Sequence, residues 1–222
     1  MLFCSWSSCY LGLGARVGVA VCPLIAVLGN PRPPLQSLGS TFIIQSTAAS
    51  RSLWNAERND VVVVGVGVAG LLQGPLTAFF ASRQCPGTAI RAATDWALQQ
   101  ARLHCAVVGG FHSPLEQSVL RLLLETGSPV VVVLARPVVN ASLRSEWRTA
   151  LDAGKLAVVC RTQNVERLTQ QSADERNDLA ARLADQIVVA HASMGGSLAR
   201  QCAQWSGVGL NVRYLDDAAA PR

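Results

Sequence analysis

The sequence predicts an α/β protein built on a doubly wound, mostly parallel sheet with helices on both faces. Three observations predict it. Short apolar runs alternate with amphipathic segments of helical period through most of residues 76–216. Several of those runs, PVVVVLAR (129–136) above all, are apolar almost without a break, as strands covered on both faces must be. Turns between strand and helix carry glycine or proline, and strict alternation needs crossover connections, which give parallel pairing. Such an arrangement is Rossmann-like.

The elements follow in order. Residues 61–70, VVVVGVGVAG, read as an edge or first strand, and 76–83, LTAFFASR, as a strand running into the polar loop QCPG. Residues 88–103 suit a helix whose buried face carries Ile90, Ala93, Ala97 and Ala101 at spacings of three and four. The run 105–108 is the next strand. Ser113-Pro114-Leu115-Glu116 has the form of a capping box, with serine at the N-cap, proline at N1 and glutamate at N3. Leu120, Leu123 and Leu124 then form the buried stripe and Gly127 supplies the stop. After the strand at 129–136, a helix is expected near 142–153, a strand at 155–161 and a helix at 169–183. A strand at 185–192, a helix at 197–205 and a last strand at 210–216 complete the series.

Residues 1–60 read differently, as an atypical and poorly ordered N-terminal extension ahead of a Rossmann-type domain at 61–222. The apolar stretch 11–28 is interrupted by Arg16, Pro23 and several glycines, so it lacks the unbroken run of about 20 apolar residues that a membrane span needs. The opening MLFCSWSSCY has no basic residue, so the signal-peptide template fits poorly too. No membrane partner is expected. GNPRPPLQSLGS (29–40) is turn and linker chemistry.

The formal charge is +5, with a single lysine among 19 basic residues. That arginine excess reads either as affinity for polyanions, because guanidinium binds phosphate bidentately, or as a GC-rich coding bias. The arginines are scattered and form no basic block. Seven cysteines include no C-x-x-C pair, which argues against a zinc knuckle or a thioredoxin-type site, and a reducing cytoplasm is the simplest setting for them. Cys105 and Cys160 sit in apolar runs and are expected in the core.

In doubly wound sheets, ligands bind beyond the carboxyl ends of the strands. Here those loops are 81–84, 109–113, 135–137, 161–162 and 191–197. Three carry an arginine (Arg83, Arg136 and Arg161), and two carry paired glycines ahead of a helix (Gly109-Gly110 and Gly195-Gly196). Helix N-termini offer free N–H donors and partial positive charge, so arginines converging on them would make an anion pocket. The glycine pairs have a plainer reading as tight turns. His112 reads as a general base or as a hydrogen-bonding loop residue, and Glu116 as the cap partner. No G-x-G-x-x-G, P-loop or H-E-x-x-H motif occurs, so no cofactor, no metal and no catalytic residue are assigned.

Four segments in this order, FFASRQCPG, VVGGFHSPLEQSVL, ERNDLAARLADQIVVAHA and MGGSL, resemble the Rossmann-like domain of the DNA-processing protein A (DprA/Smf) family. The wider group includes the LONELY GUY phosphoribohydrolases. Ala81-Ser82-Arg83 matches that family's Gly-Ser-Arg except at the glycine. Val108-Gly109-Gly110 stands at its phosphate loop, Arg176-Asn177 at its Arg-Asn pair, and Gly195-Gly196-Ser197-Leu198 at its Ser-Gly-Ser-Leu. The family's phosphate loop continues with an arginine and Gly-Ile-Asp, where this chain has Phe111-His112-Ser113-Pro114-Leu115-Glu116.

The resemblance implies a domain that binds single-stranded DNA in DNA uptake and recombination, with a homodimer as the expected assembly. From loops and resemblance together, the expected ligand residues are Ser82, Arg83, Gly109, Gly110, His112, Ser113, Arg136, Arg176, Asn177, Gly195, Gly196 and Ser197. The alternative is a sensor of a small nucleotide-derived ligand. Phosphoribohydrolase chemistry is the weaker reading, because residues 194–200 lack the carboxylate that an oxocarbenium-like state would want.

Overall fold

The computed structural model describes residues 36–38, 41–43, 53–139, 141–161 and 169–215. An eight-stranded sheet forms the centre. Its strands are β3 (Trp54–Arg58), β4 (Val61–Gly67), β5 (Leu76–Ala81), β6 (Ala106–Gly109), β7 (Val130–Leu134), β9 (Leu156–Arg161), β10 (Gln186–His191) and β11 (Val212–Tyr214), in the spatial order β11-β10-β5-β6-β7-β9-β4-β3. The six strands from β11 to β9 pair in parallel, and β4 and β3 close one side antiparallel. The expected α/β class and mostly parallel sheet are therefore present.

Period-two alternation along the central strands separates two apolar layers. Phe79, Val107, Val130, Val132, Val158 and Val188 face α1 (Gly87–Leu103), α2 (Pro114–Glu125) and the short α3 (Glu146–Asp152). Their neighbours Phe80, Val108, Val131, Val133, Val159 and Val189 face α4 (Gln170–Leu183) and α5 (Ser197–Gly207). Both faces are covered, which is why the strands read as unbroken apolar runs. The chain winds from β5 outward through β6, β7 and β9, then returns by α4 to place β10 on the other side of β5. The order of strands reverses there, so the crevice at the carboxyl ends of β5, β6 and β10 is the switch point.

Four local expectations change. β3 lies within the segment expected to be an extension: the main sheet begins before residue 61, through a β3–β4 hairpin in which Arg58 pairs with Val61. Its two-residue turn, Asn59-Asp60, has both residues at positive φ (50° and 60°), the backbone that the twist of adjacent strands favours. The rest of 1–60, apart from β1 (Gln36–Leu38) and β2 (Thr41–Ile43), lies outside the described residues. The expected helix at 142–153 starts later: Ser142–Arg144 is strand β8, which joins β1 and β2 in a small antiparallel sheet, and α3 follows. On α1 the buried face runs through Ala89, Ala93, Trp96, Ala97 and Ala101. Ile90 is 47% exposed, because Trp96 stacks on Phe79 with ring centroids 4.9 Å apart and sets the helix's rotation. Cys105 is half-buried, one residue ahead of β6, whereas Cys160 is buried as expected.

Candidate functional site: an arginine-lined cleft

The crevice at the switch point is a cleft of about 570 Å³. Its walls are the loop after β5 (Ser82, Arg83 and Gln84), the start of α2 (His112 and Ser113), the first turns of α4 and the loop leading into α5. Of the twelve expected ligand residues, Ser82, Arg83, His112, Ser113, Arg176, Asn177, Gly196 and Ser197 line it. Gly109, Gly110, Arg136 and Gly195 do not. Gly109 ends β6, packed beneath the Phe79 carbonyl, where an added Cβ would lie 3.2 Å from the oxygen. Gly110 and Arg136 border a second hollow beside the cleft. Gly195, at φ 72°, makes the turn that delivers Gly196 to the N-cap of α5.

Two of the side chains hold the walls together. The Ser82 N–H donates to the His191 carbonyl, and the Ser193 N–H donates to Ser82 Oγ, both at 2.9 Å, fastening the end of β5 to the end of β10. Ser113 caps α2 as expected: its Oγ accepts from the Glu116 N–H at 3.2 Å.

Glu116 does more than complete that cap. It is only 7% exposed, and one carboxylate oxygen accepts from the amides of His112 and Ser113 at 2.7 and 3.1 Å. The other accepts from the Ala81 N–H at 3.0 Å. Burial pushes its carboxyl up from the ordinary value, while those three amides and then the charge of Arg176 act in the opposite direction. The amides of the expected phosphate loop are thus already engaged by an anion from the protein itself. α4 is closed in a comparable way, by a capping box between Thr169 and Ser172. α5 differs. It starts at Gly196 with no side-chain cap, and Gly196, Ser197 and Leu198 line the cleft.

Arg176 forms the cleft's cationic floor. It is 8% exposed, and its Nε and Nη2 donate to Asn177 Oδ1 at 3.3 and 2.8 Å. Asn177 donates in turn to Gln201 Oε1 at 2.9 Å, and Gln201 donates to the Asp174 carbonyl at 2.9 Å, so α4 and α5 together fix the guanidinium. Burial lowers its pKa, and Glu116 and Asp174 support the charge, which arginine keeps in any case. Nη1 has no hydrogen-bond partner among the described residues.

The second glycine of the pair now has a structural cause. A Cβ on Gly110 would collide with Arg176 Nε and come within 2.8 Å of its Cδ and Cζ. Gly110→Ala should therefore displace the guanidinium. The expected result is a loss of about 1–3 kcal/mol of stability, measured by chemical denaturation, because the loop must shift or Arg176 must leave its rotamer.

His112 stands at the mouth of the cleft. Its pKa is pushed down to about 4, first by burial and then by Arg176, Arg144, Arg136 and Arg83 in that order. His112, at the rim, thus feels the charge of four arginines, two lining the cleft (Arg83 and Arg176) and two lining the neighbouring hollow (Arg136 and Arg144), and it is neutral at physiological pH. The folded-state value lies below the unfolded one, so the folded protein binds fewer protons between about pH 6.5 and 4. His112 therefore supports stability above that window and loses that contribution as pH falls through it. Thermal melts of wild type against His112→Gln across this range should converge as the pH is lowered. An NMR titration of the imidazole should place its midpoint well below 6.

The fold is thus a Rossmann-like α/β domain whose switch point carries a helix start without a side-chain cap and a fixed arginine. The family profile for DNA recombination-mediator protein A matches residues 41–206, from β2 into α5, and the chain belongs to that family. DNA processing protein A from Streptococcus pneumoniae superposes with a TM-score of 0.58 at 19% identity, over 69% of this chain and 54% of that one. This chain thus spans about half the length of the pneumococcal protein. The Helicobacter pylori protein, whose structure describes a single-stranded DNA binding mode, superposes with a TM-score of 0.59 at 12% identity, over 73% of this chain and 80% of that one. A search of curated sequences gave no match.

Arg144, Gln201 and Asp174 were not among the expected site residues. Gln201 lies mid-helix in SLARQCAQW, where nothing in the local pattern marks it off from a surface glutamine. No helix among the described residues is long and apolar enough to cross a membrane.

Proposed function

We propose that this domain holds the phosphates of single-stranded DNA in the switch-point cleft, in the DNA uptake and recombination setting of its family. One observation carries the reading. Of the three helix starts that border the cleft, two are closed by the protein's own side chains, and the third, that of α5, has no side-chain cap and lines the same cleft as Arg176 and Arg83. Unpaired amides and a guanidinium held in place before the ligand arrives suit a phosphate oxyanion. Kinship with the Helicobacter pylori protein, described as binding single-stranded DNA, supports the choice of polymer.

Phe111, Trp147 and Trp205, aromatic rings on which bases could stack if exposed, are all buried. Recognition through phosphate and not through stacked bases follows, and with it indifference to base composition. Fluorescence anisotropy should show oligothymidylate and oligocytidylate binding alike at low salt. The affinity should fall with salt at a log–log slope of about 0.7 for each phosphate neutralised. No complex at low salt would overturn the reading.

The cleft's volume is also that of a mononucleotide site, which favours a small nucleotide-derived ligand as the second reading. Saturation by a mononucleotide with no gain from longer oligomers would select it. Cytoplasmic residence fits the free thiols of Cys85, Cys105, Cys160 and Cys202. Pairing of two copies is part of the same reading, with sedimentation as its test.

A further inference from the structure

Beside the cleft, across His112, lies a second hollow of about 280 Å³ between α2, the end of β7 and the β8–α3 segment. We propose that this hollow is a second phosphate subsite, formed by Arg121, Arg136 and Arg144 around the indole N–H of Trp147.

Four observations carry it. Three arginines from three different elements line the hollow, against one carboxylate, Glu146. Arg121 has no hydrogen-bond or ion-pair partner among the described residues. Arg136 gives one Nη2 bond to the Ser142 carbonyl at 2.7 Å, and Arg144 reaches Glu146 and Gln117 only at 3.4 Å, so all three keep donors to spare.

The second observation is independent of charge. Trp147 lines the hollow and is 8% exposed, yet its Nε1–H is buried without an acceptor, the one such side-chain atom among the described residues. Trp54 and Trp205, by contrast, donate their indole N–H at 2.9 and 2.8 Å. This donor is buried with no acceptor, in a residue that lines the cationic hollow, so an oxyanion that seats there and turns or shifts the indole would satisfy it.

Third, the walls are apolar where the arginines are not: Phe111, Leu120, Leu134 and Leu143 surround them. Low polarity beneath strengthens each charge–oxyanion bond. Fourth, His112 borders both cavities and feels Arg136 and Arg144 together with Arg83 and Arg176, so the two sites share one field. A strand that leaves the α5 start would pass His112 and set a further phosphate here. The passage of a strand rests on the reading under Proposed function, whereas the subsite itself does not.

The test uses the full chain labelled with nitrogen-15, its Trp147 indole signal assigned with Trp147→Phe. Pyrophosphate should move that signal downfield and saturably. The double change of Arg121→Gln and Arg144→Gln, both on exposed side chains, should abolish the shift. It should also weaken oligothymidylate binding by about tenfold and flatten its salt slope by about 0.7. If oligothymidylate binds while the indole signal stays still and the double variant matches wild type, the hollow is no subsite and the cleft reading stands. If pyrophosphate moves the indole but no oligonucleotide binds, the hollow takes free phosphate and the strand reading fails. An indole signal unmoved by both probes overturns the proposal.

Discussion

Glu116→Ala should be the most destabilising single change in the cleft, lowering stability by about 4 kcal/mol and the melting temperature by roughly 10 °C in a circular-dichroism melt. The carboxylate satisfies three amides, those of Ala81, His112 and Ser113. Truncation would leave all three without their acceptor, and each costs about 1–3 kcal/mol when left unpaired. It would also break the link between the end of β5 and the start of α2. Glu116→Gln offers a graded control. With its remaining oxygen toward His112 and Ser113 it keeps two of the bonds and sets its amide against the Ala81 N–H, so about half the loss is expected. A second signature separates this mechanism from simple loss of packing. The emptied space lies at a helix start and should accept an inorganic anion, so phosphate should stabilise Glu116→Ala more than it stabilises wild type. A variant that melts with wild type, or that ignores phosphate, would refute the role assigned here.

Arg176→Gln should have the largest effect on binding. The guanidinium is buried, is oriented by Asn177, and keeps Nη1 unengaged among the described residues. Losing one charge-assisted contact should weaken oligothymidylate binding at least about tenfold. The salt slope should become shallower by about 0.7, the signature of one phosphate no longer neutralised. Stability should fall too, though by less than for Glu116→Ala, because the buried Glu116 carboxylate keeps its three amides and loses only the support of the Arg176 charge. Arg182→Gln, on the same helix but lining a hollow elsewhere, should bind as wild type does. Equal affinity of Arg176→Gln and wild type would remove the cationic floor from the account.

The parallel strands were legible because burial on both faces leaves nothing but apolar residues, as in β7 and β9. β3 was not, because it is the outer strand: Trp54, Asn55, Ala56, Glu57 and Arg58 alternate half-buried with exposed, and polar residues blur the period. The clue was Asn59-Asp60, a pair suited to positive φ, immediately ahead of four valines. Ser142–Arg144 was lost to the helix beside it because three residues are too few to show either period. In the site, the capping box could be read from four consecutive residues. The third amide on Glu116 belongs to Ala81, 35 residues away, and no local pattern announces it. The same holds for Gly110, whose missing side chain makes room for an arginine on a helix that follows three further strands.

An internal carboxylate that organises the β6–α2 loop has a kinetic consequence. The loop reaches its working shape during folding and draws nothing from the encounter with a ligand to get there. Association should then proceed in one phase, linear in concentration and governed by the charge of the rim, with no slower isomerisation behind it.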